Sequence, residues 1–205
     1  MSIAARWLTI ALLVSSCGLI HAASTRAEVE TTTLDGPYQA DLSRISNLRL
    51  HLRDGDFRIV GSDSTEITIH ADGKNRALAR NMQVRLKRTG DSLDITFSHV
   101  PKNEFQVTIS VPRETNLFAR MRAGDLAVDG LAGDKDVELL AGDLSIQVAD
   151  PADYGPVDLS VRFGDVSADQ FGGAKGVVGN SLKHDGGGRY RLHAHVFAGD
   201  LMLKP

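Results

Sequence analysis

One phrase recurs through the second half of the chain and limits its possible folds more than any other feature. Arg122-Ala123-Gly124-Asp125-Leu126-Ala127-Val128 returns as Leu140-Ala141-Gly142-Asp143-Leu144-Ser145-Ile146, then as Arg162-Phe163-Gly164-Asp165-Val166-Ser167-Ala168. It closes the chain as Phe197-Ala198-Gly199-Asp200-Leu201-Met202-Leu203, and Gly55-Asp56-Phe57-Arg58-Ile59 is an earlier relative. Glycines 124, 142 and 164 stand 18 and 22 residues apart, the spacing of repeats that stack on one another. Glycine permits the positive φ that a sharp corner needs. The aspartate can accept a hydrogen bond from a backbone N–H just beyond it and so hold its own turn. The apolar residue that follows starts an inward face, which Val128, Ile146, Ala168 and Leu203 continue two residues later. Such a unit cannot bury its apolar face alone, so neighbours must stack.

The rest of the chain alternates with period two. Leu48, Leu50 and Leu52 alternate with Arg49, His51 and Arg53; Ile67 and Ile69 flank Thr68. Val84 and Leu86 lead into the turn Thr89-Gly90-Asp91, and Leu93, Ile95 and Phe97 return from it. Phe105, Val107, Ile109 and Val111 form another run, stopped at Pro112. Runs this short, bounded by Gly, Asp, Asn or Pro, are strands. The expected class is all-β, a β-solenoid or β-helix-like stack of short strands, with one short helical turn near residues 74–82.

Met1 to Ala23 reads as a secretory signal: Arg6 is the positive residue and Trp7 to Val14 the apolar stretch. Two processing routes stay open. Ile20-His21-Ala22-Ala23-Ser24 offers small residues for ordinary cleavage, whereas Val14-Ser15-Ser16-Cys17 resembles the bacterial lipobox, in which Cys17 would carry the lipid. Cys17 is the one cysteine, so a chain cut after it has neither a disulfide nor a thiolate metal site. The expected organisation is a signal over residues 1–23, a polar linker over 24–40 and one repeat domain over 41–205. Of the 205 residues 42% are apolar, enough for a core without disulfides, and the net charge of -3 argues against nucleic acid as a partner.

The four phrases, with Val111-Pro112 and Gly130-Leu131-Ala132-Gly133 between them, resemble the putative-adhesin domain family of bacterial exported proteins. The resemblance covers Phe105 to Pro205 well and Leu48 to Phe97 more loosely. It implies a β-helix-like fold, a place in the cell envelope or periplasm, and no known catalytic activity. The function expected is therefore a non-enzymatic, adhesin-like binding or structural module. Its partner would be an envelope protein, a glycan or another copy of itself, and it would touch a membrane only through an N-terminal lipid. A polysaccharide-active β-helix enzyme and a periplasmic accessory of envelope signalling are the alternatives.

No catalytic, cofactor-binding or metal residue is assigned, and no cofactor is expected; nucleophile-elbow, phosphate-loop and zinc-helix motifs are absent. Gly124, Asp125, Gly142, Asp143, Gly164, Asp165, Gly199 and Asp200 are expected to be structural turn residues. If the repeats stack in register, their carboxylates would form a ladder at about 4.8 Å, a spacing that Ca²⁺ could relieve of repulsion. The Gly-Gly-x-Gly-x-Asp pattern of calcium β-rolls is missing, so each Asp capping its own turn is preferred. Gly172-Gly173-Ala174-Lys175-Gly176 reads as a solvated loop, and Asp134, Asp136 and Glu138 as solvated surface. His193 and His195 share a strand face without an identifiable third metal ligand, and Arg122 and Arg162 are expected to pair with nearby acids.

Overall fold

The computed structural model describes residues 27–33, 37–73, 81–100, 105–173 and 179–205. Seventeen strands lie among them. In the first half they are β1 (Glu28–Thr33), β2 (Tyr38–Asp41), β3 (Asn47–Asp54), β4 (Asp56–Ser62), β5 (Glu66–Gly73), β6 (Gln83–Thr89), β7 (Ser92–Ser98) and β8 (Phe105–Pro112). The second half has β9 (Asn116–Ala123), β10 (Leu126–Asp129), β11 (Lys135–Ala141), β12 (Leu144–Gln147), β13 (Tyr154–Phe163), β14 (Val166–Ser167), β15 (Asn180–Asp185), β16 (Tyr190–Ala198) and β17 (Leu201–Lys204). Single 3₁₀ turns at Pro151–Asp153 and Asp169–Phe171 are the helical elements among the described residues. Of the helical turn expected near residues 74–82, residues 74–80 lie outside the described ones, and Met82 is buried just before β6.

Two mixed sheets result, and neither closes on itself. A nine-stranded sheet runs β1-β6-β7-β3-β9-β11-β16-β13-β15, and an eight-stranded sheet runs β14-β17-β12-β10-β4-β8-β5-β2. The central six strands of the first, β7 through β13 in that order, are mutually parallel. So are β8-β4-β10-β12-β17-β14 in the second. Each Gly-Asp phrase is the corner where the chain leaves one sheet for the other: β3 to β4, β9 to β10, β11 to β12, β13 to β14 and β16 to β17. These five rungs do not stack in chain order. The last, β16–β17, lies between β11–β12 and β13–β14. The chain first turns back through β15 on the far side of β13, and then returns on its near side.

Alternate side chains of both sheets point into one shared core. Phe57 from β4 and Phe97 from β7 meet edge to face across it, with ring centres 5.3 Å apart. Leu48, Leu50, Val137, Leu159, Ala194 and Val196 line the nine-stranded sheet's inner side, each almost wholly inaccessible. Burying one such Leu or Val stabilises by roughly 1.5–3 kcal/mol. The interval read as linker over 24–40 contains β1 and all but the last residue of β2. All but one residue of β1 is exposed and its three threonines pair with Arg85, Val84 and Gln83 of β6. An edge strand with no buried face leaves no apolar alternation to read, although β-branched threonine suits it.

Candidate functional site

The corners come first, because they position everything else. Gly142 has φ +125° and Gly199 φ +136°, regions closed to side chains. A Cβ on Gly142 would sit 2.0 Å from the Gly124 carbonyl oxygen, and one on Gly199 1.9 Å from that of Gly142. The glycines are therefore required twice, by conformation and by the closeness of the neighbouring rung. The aspartates act between rungs and not within their own turns, which corrects the expectation above. Asp125 Oδ1 accepts from the Asp143 N–H at 3.3 Å, Asp143 Oδ1 from Asp200 at 3.1 Å, and Asp200 Oδ1 from Asp165 at 2.9 Å. Asn180 Nδ2 ends the series by donating to Asp165 Oδ1 at 3.1 Å. A similar series runs where the strands begin: Asn116 Oδ1 accepts from the Asp134 N–H, and Asp134 Oδ1 from the Arg191 N–H. The carboxylates lie along the stack, and no group of three or more His, Cys, Asp or Glu among the described residues is placed to hold a metal ion.

Between the two series, the nine-stranded sheet presents its outer face as cross-strand rows. One row reads Arg49, Phe118, Asp136, His193, Asp158. The next reads His51, Arg120, Glu138, His195, Ser160. Arg120 holds both carboxylates of β11, Asp136 at 3.1 Å and Glu138 at 2.9 Å, while its guanidinium lies 3.7 Å from the centre of the Phe118 ring. His193 Nδ1 bonds Asp136 at 3.0 Å. Partial burial pushes the Asp136 carboxyl up, but the bonds from His193 and Arg120, with the Arg120 charge, outweigh it and hold the group below its ordinary value. Asp136 and Glu138, half-exposed, are thus tied to Arg120, and the exposed Asp134 belongs to the strand-start series; the three acids read as solvated surface lie at the surface and have partners there. His193 and His195 keep separate partners, since His195 Nδ1 bonds Ser160 Oγ at 2.8 Å.

The row beside the corners differs. It reads Arg53, Arg122, Leu140, Phe197, Arg162, with Phe163 adjoining. Leu140 is 52% exposed, Phe197 44% and Phe163 55%, and the two phenylalanine rings meet edge to face at 5.4 Å. Arg122 pairs with Asp54, whereas Arg162 lies over the Phe163 ring. A shallow depression of about 470 Å³ opens along this row and the one before it, lined by His51, Arg53, Arg122, Glu138, Leu140 and Phe197 among others. The sequence did carry a signal for the apolar part. Leu139-Leu140 and Val196-Phe197 are adjacent apolar pairs, and in a strand one member of each must face outward.

No family model matches the sequence, and no curated protein matches it. Solved structures do. A "putative cell adhesion protein" from Clostridium sporogenes is similar at TM-score 0.49 and 9% identity over 87% of this chain and 99% of that one. A "putative adhesin" from Parabacteroides merdae is similar at TM-score 0.21 and 17% identity over 60% and 62%. Another "putative adhesin", from Bacteroides fragilis, is similar at TM-score 0.28 and 7% identity over 88% and 98%. The expected signal over residues 1–23 with Cys17, and Ala174, Lys175 and Gly176, lie outside the described residues, whereas Gly172 and Gly173 form a turn with φ 93° and 74°. No helix among the described residues is long and apolar enough to cross a membrane.

Proposed function

We propose that this protein is a non-enzymatic, adhesin-like binding or structural module, exported to the bacterial cell envelope. In this reading its Gly-Asp rungs form a solenoid-like stack whose wide outer face does the binding. The observation that carries the reading is the row Arg53, Arg122, Leu140, Phe197, Arg162. It sets exposed apolar groups among guanidinium groups on a rigid sheet. Exposed clusters of this kind are costly in water and mark contact surfaces. The leader over residues 1–23 and the resemblance of the repeated phrase support export to the envelope.

The polysaccharide-enzyme alternative has one observation in its favour: Arg120, Asp136 and Glu138 converge beside the depression. Both carboxylates already bind one guanidinium, an arrangement suited to holding the face together more than to moving a proton. The two readings separate when the purified protein is incubated with polygalacturonate, alginate and peptidoglycan. No reducing ends or unsaturated products are expected. Product release that disappears in Glu138→Gln would replace the binding module with an enzyme. Export is tested by intact mass after cell fractionation. Mature species starting at Cys17 with acyl chains, or near Ala23 or Ser24 without them, are expected; a cytosolic chain starting at Met1 would refute it.

A further inference from the structure

The surplus of unpaired charge on the two outer faces is opposite in sign. On the nine-stranded sheet Asp136 and Glu138 are engaged by Arg120 and Asp158 by Lys183 at 3.3 Å, Asp94 lies 3.6 Å from His51, and Asp185 at the end of β15 has no ion-pair partner among the described residues. Arg53, Arg85, Lys87 and Arg162 of the same face have no ion-pair partner among the described residues. The eight-stranded sheet is the reverse. Asp129 is paired with Arg58 at 2.8 Å, but the corner carboxylates of Asp56, Asp125, Asp143, Asp165 and Asp200 face no Lys or Arg at ion-pair distance among the described residues. A second depression, of about 310 Å³, lies on that face, lined by Asp125, Asp143, Asp200, the 47%-exposed Met202 and Lys204, one cation against three carboxylates.

These patterns share one spacing because they sit on the same five rungs. Arg53 and Arg162 stand on β3 and β13, the first and last of the stack. Asp56 and Asp165 begin the eight-stranded-sheet segments of those same rungs. Each pair therefore spans four strand separations, roughly 19 Å at about 4.8 Å per strand. Near the middle of each span lies an exposed apolar group: Leu140 and Phe197 on one face, Met202 of the rung that contains Phe197 on the other.

We infer that the Arg53–Arg162 row docks the acidic outer face of a second copy of this chain. This deepens the proposed binding module by naming its partner, and it rests on that reading. Cations meet the carboxylate series at both ends, and Phe197 and Leu140 meet Met202 between them. Because the two surfaces differ, the contact is head-to-tail and propagates into open chains instead of stopping at a symmetric dimer. Charge attraction across such faces is screened within about a Debye length, so association weakens with salt.

Sedimentation velocity of the purified protein tests this. The weight-average sedimentation coefficient should rise with concentration at 20 mM salt and fall towards the monomer value at 500 mM. A basic-face variant, Arg53→Gln with Arg162→Gln and Phe197→Ser, should be monomeric. An acidic-face variant, Asp56→Asn with Asp165→Asn, keeps the Oδ1 acceptors used by Asp125 N–H and Asn180 Nδ2 and should also be monomeric; Met202→Arg, which touches no rung-to-rung bond, serves if that variant does not fold. Mixed one to one, the basic-face and acidic-face variants should form a dimer and nothing larger. Dimers of the acidic-face variant alone would overturn the proposal in favour of a symmetric contact. A wild-type monomer at every concentration and low salt would also overturn it. If that monomer nevertheless bound polygalacturonate through Arg53 and Arg162, the binding face would stand with an acidic glycan as its partner.

Discussion

Lys135 and Tyr154 form a buried pair where β11 and β13 begin. Lys135 is 1% exposed, its Nζ donates to the Gly133 carbonyl at 3.1 Å and to the Tyr154 hydroxyl, and that hydroxyl donates to the Leu131 carbonyl at 3.3 Å. Burial pushes the lysine down to about 8, against the pull of Asp134; burial together with nearby Asp153 pushes the Tyr154 phenol up. A depressed amine binds its proton less readily in the folded chain than in the unfolded one. Between pH 8 and about 10.5 the unfolded chain therefore holds more protons, and stability rises with pH there; below pH 8 the whole penalty, roughly 3 kcal/mol, is present. Tyrosine acts in the opposite sense above pH 10, where the unfolded phenol ionises first. Urea denaturation should show a gain of about 2 kcal/mol from pH 7 to 9.5 that Lys135→Met abolishes. Equal pH slopes in both proteins would remove the charge burial from the account. Glycines provide a second contrast at this scale. Gly90 has φ +63° with open space around it, so Gly90→Ala should cost about 1 kcal/mol. Gly142→Ala adds a collision with the Gly124 carbonyl and should cost at least about 3 kcal/mol.

At the scale of the strand, the parallel stack poses a particular problem. Parallel sheets usually have both faces covered, whereas here one face of each is wet. The side-chain series at the two ends of the strands supply what a covering layer otherwise would. Each Asp or Asn oxygen takes a backbone N–H of the next rung, fixing register at the corner and at the start of the strand. A one-residue slip would turn every inward side chain out. Asp143→Ala removes the acceptor for Asp200 N–H at 3.1 Å and should lower stability by about 1–2 kcal/mol. Asp143→Asn retains that oxygen and should stay within about 0.5 kcal/mol of wild type in the same denaturation experiment. If both substitutions cost alike, the carboxylate's charge and not its acceptor oxygen holds the rungs.

Across the whole molecule the outer faces differ in kind. One is a row network with surplus guanidinium groups and exposed Leu140, Phe163 and Phe197; the other is edged by carboxylates. Phe197→Ser loses the ring contact with Phe163 and should lower stability by about 1 kcal/mol. The same substitution should lower binding of labelled protein to isolated envelope fragments about fivefold or more, the effect of losing an aromatic anchor. A large fall in melting temperature would instead make Phe197 a structural residue.

Local chemistry settled the class of this protein and the nature of its corners. Period-two runs at Leu48 to Leu52 and Phe105 to Val111 are strands because side chains alternate across a sheet, and a repeated Gly-Asp is a corner because glycine alone tolerates the φ. Buried Lys135 was not read from the sequence, because a lysine among Asp134, Asp136 and Glu138 looks like one more surface charge until its neighbours in the fold are known. What needed the tertiary structure was adjacency. Nothing in the spacing of the phrases tells that Gly142 lies against Gly199 and not Gly164, because chain order does not fix which rung a returning strand inserts beside. The same holds for the aspartates. A carboxylate carries no mark of whether its own turn or the next rung supplies the N–H, and the rows on the outer face join residues whose closeness exists only once five rungs are stacked.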